Sequence, residues 1–168
     1  MFQKDEFVFY GSGGVCQISD IQVSPLEGMP ADRSYYVLRS LHDRNGVMYV
    51  PVDSEAVFLR RLMDECEAQT LIEQIPTVEV IDEPNAKLLR AKYVDAMRMH
   101  APVEWVRVIK TVHFRTAGEE RRVQRLSETE RSFSEDAKRF LYTELAIALG
   151  MGEGEIKDYI AERLEKFA

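Results

Sequence analysis

Ser34-Tyr35-Tyr36-Val37-Leu38-Arg39, then Asp43-Arg44-Asn45-Gly46, then Val47-Met48-Tyr49-Val50-Pro51-Val52 is the stretch on which the fold turns. Two runs rich in β-branched and aromatic residues flank an Asn-Gly pair, and these two residues tolerate the positive φ that a two-residue primed hairpin turn demands. Outward from this hairpin, Phe7-Val8-Phe9-Tyr10 and residues 15–23 read as further strands, bounded by Gly11-Ser12-Gly13-Gly14 and by residues 25–32. Strands so short and so close together leave no room for helical crossovers, so the sheet is antiparallel. A small curled sheet or barrel follows.

Beyond Pro51 the period changes. Val57, Leu59, Leu62, Met63 and Cys66 suggest a helical turn or short helix, residues 68–75 a second, and residues 76–84, set between two prolines, a connector. The remainder reads as helix. Asn85 caps a segment running to about Met99. Pro102 opens another through Trp105, Val108, Ile109 and Val112, at the spacing of a buried stripe. A polar region, residues 116–132, interrupts. Ser134 then starts a helix ending at Gly150-Met151-Gly152, and residues 153–167 form the last, with Ile156, Tyr159, Ile160 and Leu164 inward. The expectation is an α+β chain of two segregated modules, a β module followed by a bundle of about four helices.

Charge is distributed unevenly. Residues 1–82 hold six Lys/Arg against fourteen Asp/Glu, a balance of −8, within a chain of net charge −7. From Lys87 to Arg125 ten cations face only Asp95, Glu104, Glu119 and Glu120. A basic zone in an acidic chain predicts two surfaces with two kinds of partner, one of them anionic. No apolar run approaches the roughly 18 residues of a bilayer span, and the opening MFQKDEF lacks the pattern of a signal peptide, so a cytoplasmic protein is expected. Cys16 and Cys66, distant and outside any CxxC pairing, read as buried small hydrophobes.

Little here points to bond chemistry. Gly11-Ser12-Gly13-Gly14 precedes a strand rather than a helix, so it reads as a turn and not as a phosphate loop. His42, His100 and His113 have no partner at ligand or triad spacing, and pairs such as Asp64-Glu65 point apart on a helix. No enzyme activity, metal or cofactor is expected. Trp105, on the same stripe as Val108 and Val112, reads as core rather than as a base-stacking side chain. Lys87, Arg90 and, more loosely, Arg98 share one flank of the first bundle helix, which either follows a phosphate backbone or is simply a solvated face. Arg121, Arg122 and Arg125 fall in the polar region, where Glu119 and Glu120 weaken their field.

The order Phe7-Val8-Phe9-Tyr10, Gly14-Val15-Cys16-Gln17-Ile18, Ile21-Gln22, Tyr35-Tyr36-Val37-Leu38, Val50-Pro51-Val52-Asp53 and Leu59-Arg60 resembles the CarD family of bacterial transcription regulators. Glu144-Leu145-Ala146-Ile147-Ala148-Leu149, after Ser134-Glu135-Asp136-Ala137-Lys138-Arg139, is similar to that family's helical half. The resemblance implies a Tudor/SH3-like antiparallel β barrel that docks on the β subunit of RNA polymerase, joined to a helical domain that touches promoter DNA beside the melted bubble and modulates open-complex stability. It departs from the family pattern where Asp5-Glu6 precedes the first strand and Tyr10-Gly11 follows it. It departs again where the family's wedge tryptophan falls at about Lys87.

The expected organisation is a polymerase-interacting module at residues 1–75, a connector at 76–84 and a DNA-contacting helical module at 85–168. Val23, Val47, Tyr49 and Pro51 are the candidate polymerase contacts, with residues 47–52 as an edge to which a partner strand adds. Lys87, Arg90 and Lys92 are the leading phosphate contacts, and Arg98, Arg107 and Lys110 the secondary ones. The expected partners are RNA polymerase and promoter DNA, without membrane or small-molecule substrate. The alternative is an adaptor that meets only protein.

Overall fold

The computed structural model describes residues 1–11, 13–56, 58–118 and 127–166, the side chains of 117, 118 and 164–166 excepted. The chain divides into two compact units, Met1–Leu62 and Met63–Ala168.

The first unit is one antiparallel sheet. Its strands are β1 (Phe7–Tyr10), β2 (Gly14–Val23), β3 (Ser34–Ser40), β4 (Val47–Pro51) and β5 (Leu59–Arg61), in the order β4-β3-β2-β1-β5. Alternation sorts the side chains: Val8, Cys16, Ile18, Tyr36, Leu38 and Val50 turn to one face and form a cluster closed in by Phe2, Tyr10, Ile21, Met48, Val52 and Leu59. The β2/β3 register shifts between Ile18 and Asp20, which leaves Ser19 as a bulge whose hydroxyl donates to the Val37 carbonyl at 3.1 Å. Three expectations need correcting. Residues 59–61 form a strand against β1, not a helical turn. The β3/β4 connection is not a two-residue Asn-Gly turn, because neither Asn45 nor Gly46 has positive φ. Instead Asp43 organises it: its carbonyl accepts from Gly46 N–H at 3.2 Å and its side chain from Asn45 N–H at 3.0 Å. Finally, β4 and β5 are the two outer strands, so among the described residues no ladder closes the sheet into a barrel.

The second unit is helical. It comprises α1 (Glu65–Gln74), a 3₁₀ turn (Ile75–Thr77), α2 (Ala86–Arg98), α3 (Pro102–Gly118), α4 (Glu128–Leu149) and α5 (Glu153–Lys166). Five α-helices are described where about four were expected, because α1 packs with this unit. The helix α4 touches each of the other four. It begins earlier than the expected Ser134, which is buried within it. Ser127 caps it instead, its Oγ accepting from Glu130 N–H at 3.2 Å while Glu130 accepts from Ser127 N–H at 3.1 Å. Asn85 caps α2 as expected, and Gly150, at φ 63, ends α4. Trp105 is fully buried on the α3 stripe and lies 5.7 Å from the Phe140 ring.

The division at Leu62/Met63, rather than at residue 75, has a physical cause. Met63 N–H donates to the buried Glu144 carboxylate at 2.8 Å, and Ile81 N–H donates to Thr111 Oγ1 at 2.9 Å. Backbone groups between residues 63 and 84 thus find partners inside the helical unit. This reassigns the acidity. Residues 1–62 hold six Lys/Arg against eight Asp/Glu, a balance of only −2, whereas residues 63–168 hold sixteen against twenty-one, or −5. The strand unit is therefore close to neutral. The carboxylates Asp64, Glu65, Glu67, Glu73, Glu79, Asp82 and Glu83 precede the cationic α2 within one helical unit.

Cys16 is buried as expected, and burial pushes its thiol up to about 11; Cys66 is exposed, contrary to expectation. Because the thiolate is the nucleophile, iodoacetamide at pH 8 is expected to modify one cysteine, Cys66, in the native chain and both in denaturant. Peptide mass mapping that found Cys16 alkylated at the same rate would contradict the packing of the sheet core.

Candidate functional site

Two surfaces carry the candidate residues, one in each unit. In the strand unit, Val52 N–H donates to the Ser34 carbonyl at 3.0 Å. An antiparallel ladder alternates between bonded and non-bonded pairs, and the register Tyr35↔Pro51, Tyr36↔Val50, Val37↔Tyr49 extends from that bond. It follows that Val50 and Met48 bond to β3, while the backbone polar groups of Val47, Tyr49 and Pro51 turn away from it. This open edge offers N–H and C=O at Val47 and Tyr49 and a carbonyl alone at Pro51, which ends the run of donors. The side chains of these three residues share the face opposite the core cluster. Val23 is 64% exposed but sits across the sheet, on the face of Ile21 and Tyr36. The structure thus groups three of the four candidates and leaves Val23 apart.

In the helical unit, Leu89, Tyr93 and Ala96 turn α2 inward, so Lys87, Arg90 and Lys92 are exposed on its outer side. Lys92 is engaged: its Nζ lies 3.1 Å from Glu83 Oε2. Glu83 is held below the usual carboxylate range by the Asn85 N–H and then by that ammonium. Arg98 is exposed at the last turn, and Arg107 lies 3.8 Å from Glu104. Lys87, Arg90 and Arg98 are therefore the exposed cations of α2 that share a flank.

Lys110 does a different job from the one expected. Its ammonium donates to the carbonyls of Ile75 at 2.7 Å, Pro76 at 3.3 Å and Val78 at 2.6 Å, and burial lowers its pKa. It gathers the carbonyls at the end of α1 and its 3₁₀ turn, adding to the Val78 N–H that the Ile75 carbonyl already accepts at 3.3 Å. A side chain spent on three acceptors is not available to a phosphate. Lys110→Met keeps the aliphatic stem and removes the donors. It is expected to lower unfolding stability by about 2 kcal/mol, the scale of charged hydrogen bonds lost from partly buried acceptors, without changing any affinity for DNA. Chemical denaturation read by circular dichroism measures the first, and a DNA titration the second.

A further network escaped sequence reading. Arg115 Nε lies 2.7 Å from Glu130 Oε1, and the Tyr93 hydroxyl donates to the same oxygen at 3.3 Å. Glu130 thereby joins α2, α3 and the cap of α4. Burial, and then the Glu130 charge, raise the Tyr93 phenol. Arg115 is thus a structural cation. Arg121, Arg122 and Arg125 lie outside the described residues. Among the described residues no group of three or more His, Cys, Asp or Glu side chains is placed to hold a metal ion, and no helix is long and apolar enough to cross a membrane.

Residues 2–63 match the family model of the CarD-like/TRCF RID domain, a domain of the RNA polymerase-interacting type. The match coincides with the strand unit and stops where the helical unit begins. No curated protein matches the chain.

Proposed function

We propose, from the premise that residues 2–63 belong to the CarD-like/TRCF RID family, that the chain is a non-enzymatic transcription regulator that docks on the β subunit of RNA polymerase and leans its helical unit on promoter DNA. The observation that carries the docking half is the open β4 edge, a row of outward main-chain donors and acceptors inside a domain of polymerase-interacting type. The DNA half is supported by the exposed Lys87, Arg90 and Arg98 flank of α2. A regulator of this design shifts the balance between closed and open promoter complexes only by its difference in affinity for the two, so no bond-making residue is required.

The test is retention of the full chain on immobilised polymerase, alone and with a promoter fragment carrying a premelted bubble. Expected is retention without DNA, tightened by the bubble fragment and weakened again by added salt. Equal, salt-insensitive retention in both conditions would leave only the second reading, an adaptor that touches protein alone. That reading is favoured by the −5 balance of the helical unit and by the internal partners of Lys92, Arg107, Lys110 and Arg115.

A further inference from the structure

We propose that the cleft between α2 and α4 seats one unstacked nucleobase of single-stranded DNA, an inference that rests on the nucleic-acid half of the reading above. Val94 and Met97 of α2 with Phe133 and Phe140 of α4 line a cavity of about 270 Å³, and Arg98 and Asp136 stand at its polar margin. Its aromatic rings are held in place from behind: Phe133 stacks at 5.6 Å on the buried Tyr93, and Phe140 lies 5.7 Å from the buried Trp105. Rings already fixed by the core lose little freedom when a ligand is added.

The surroundings select the ligand. On a helix, Arg90, Val94, Met97 and Arg98 fall at i, i+4, i+7 and i+8 and share one flank, with Lys87 a turn before Arg90. The apolar lining is thus interleaved with cations. The one carboxylate at the margin, Asp136, is paired with Arg139 Nη2 at 3.1 Å, and the Arg139 guanidinium lies 5.2 Å from the centre of the Phe140 ring. A flat π face carried on a chain of negative charges satisfies both features at once, aromatic contact for the base and cations for its flanking phosphates. In duplex DNA the bases are stacked and paired, so the ligand is a melted strand. An apolar peptide side chain would leave the cations without partners.

The test uses the full chain with ¹³C-methyl methionine, titrated into the millimolar range with an oligothymidylate and with an abasic strand of equal length and charge. Expected is a shift of the Met97 methyl resonance with the oligothymidylate, and affinity roughly five- to hundredfold above that for the abasic strand, the range that base–aromatic stacking supplies. Val94→Glu, at a half-buried position that leaves the Tyr93 and Trp105 contacts in place, is expected to bring the two strands to equal affinity. Phe133→Ala is less suitable, since it removes the Tyr93 stacking. Lys87→Glu with Arg90→Glu is expected to weaken both strands and preserve their ratio. Equal affinity of the parent chain for both strands, or a Met97 methyl unmoved at saturation, overturns the nucleobase seat while leaving the cationic flank standing. No binding of either strand overturns the seat and the DNA half of the proposed function together.

Discussion

Tyr49→Pro is expected to weaken retention of the chain on RNA polymerase by at least about tenfold while leaving the strand unit folded. The reasoning is geometric. Tyr49 pairs with Val37 at a position whose N–H turns away from β3, so proline there removes no bond of the native ladder. It does remove the central donor of the open edge and puts a ring where an incoming strand would lie. An acceptor left unsatisfied at a buried interface costs about 1–3 kcal/mol, and 1.4 kcal/mol is a factor of ten. Tyr49→Ala is the necessary control. It keeps the donor and deletes the half-buried ring, so it separates strand addition from side-chain contact. Binding to immobilised polymerase measures the effect, and thermal unfolding by circular dichroism reports whether the sheet survives. Should the proline variant bind as the parent does, the β4 edge is not the docking element. The opposite face, where Val23 stands, would then be the surface to examine.

How far such surfaces were legible in advance varies from element to element for physical reasons. The hairpin of β3 and β4 could be read because two short runs dense in β-branched and aromatic residues lie close together around a cluster of turn residues. Its turn could not, since Asp43 competes for the same backbone groups as Asn45-Gly46 and the preference is settled by the closing geometry. β5 was missed because a strand of three residues shows no period, and Leu59, Leu62, Met63 and Cys66 imitate helical spacing. The start of α4 was legible in principle. Ser127-Glu128-Thr129-Glu130 is a capping box, hidden in a run of charges that reads as loop. Trp105 was placed correctly by its stripe. Lys110 and Arg115 are cations whose partners lie far off in sequence. Sequence counts cations, but only the fold reveals which are consumed by a carbonyl cluster or by Glu130. The charge split misled for a related reason, since the acidic run 64–83 precedes the basic helix in the same unit rather than marking a separate module.

The second large effect concerns those cations that remain. Lys87→Glu combined with Arg90→Glu is expected to weaken the ternary complex of polymerase, promoter DNA and this chain by roughly tenfold or more at low salt, and to flatten its salt dependence. Each phosphate contact on duplex DNA contributes a slope of about 0.9 in log affinity against log salt, so losing two removes a slope of nearly 2. Between about 50 and 200 mM salt the parent complex should then lose on the order of ten times more affinity than the variant. The −5 balance of the helical unit does not forbid this. At physiological ionic strength a charge is screened over roughly 8 Å, so the local sign of the α2 flank, rather than the sum over the unit, governs contact with a phosphate. Lys92→Ala serves as a comparison, because its ammonium already has Glu83 at 3.1 Å and its loss should change the slope less than the loss of either exposed cation. A double variant with an unchanged slope would mean that no phosphate contact is made through α2. With polymerase retention intact, it would favour the helical unit as a protein-binding face, since losing a phosphate contact lets counterions recondense on the DNA and must lower the salt slope.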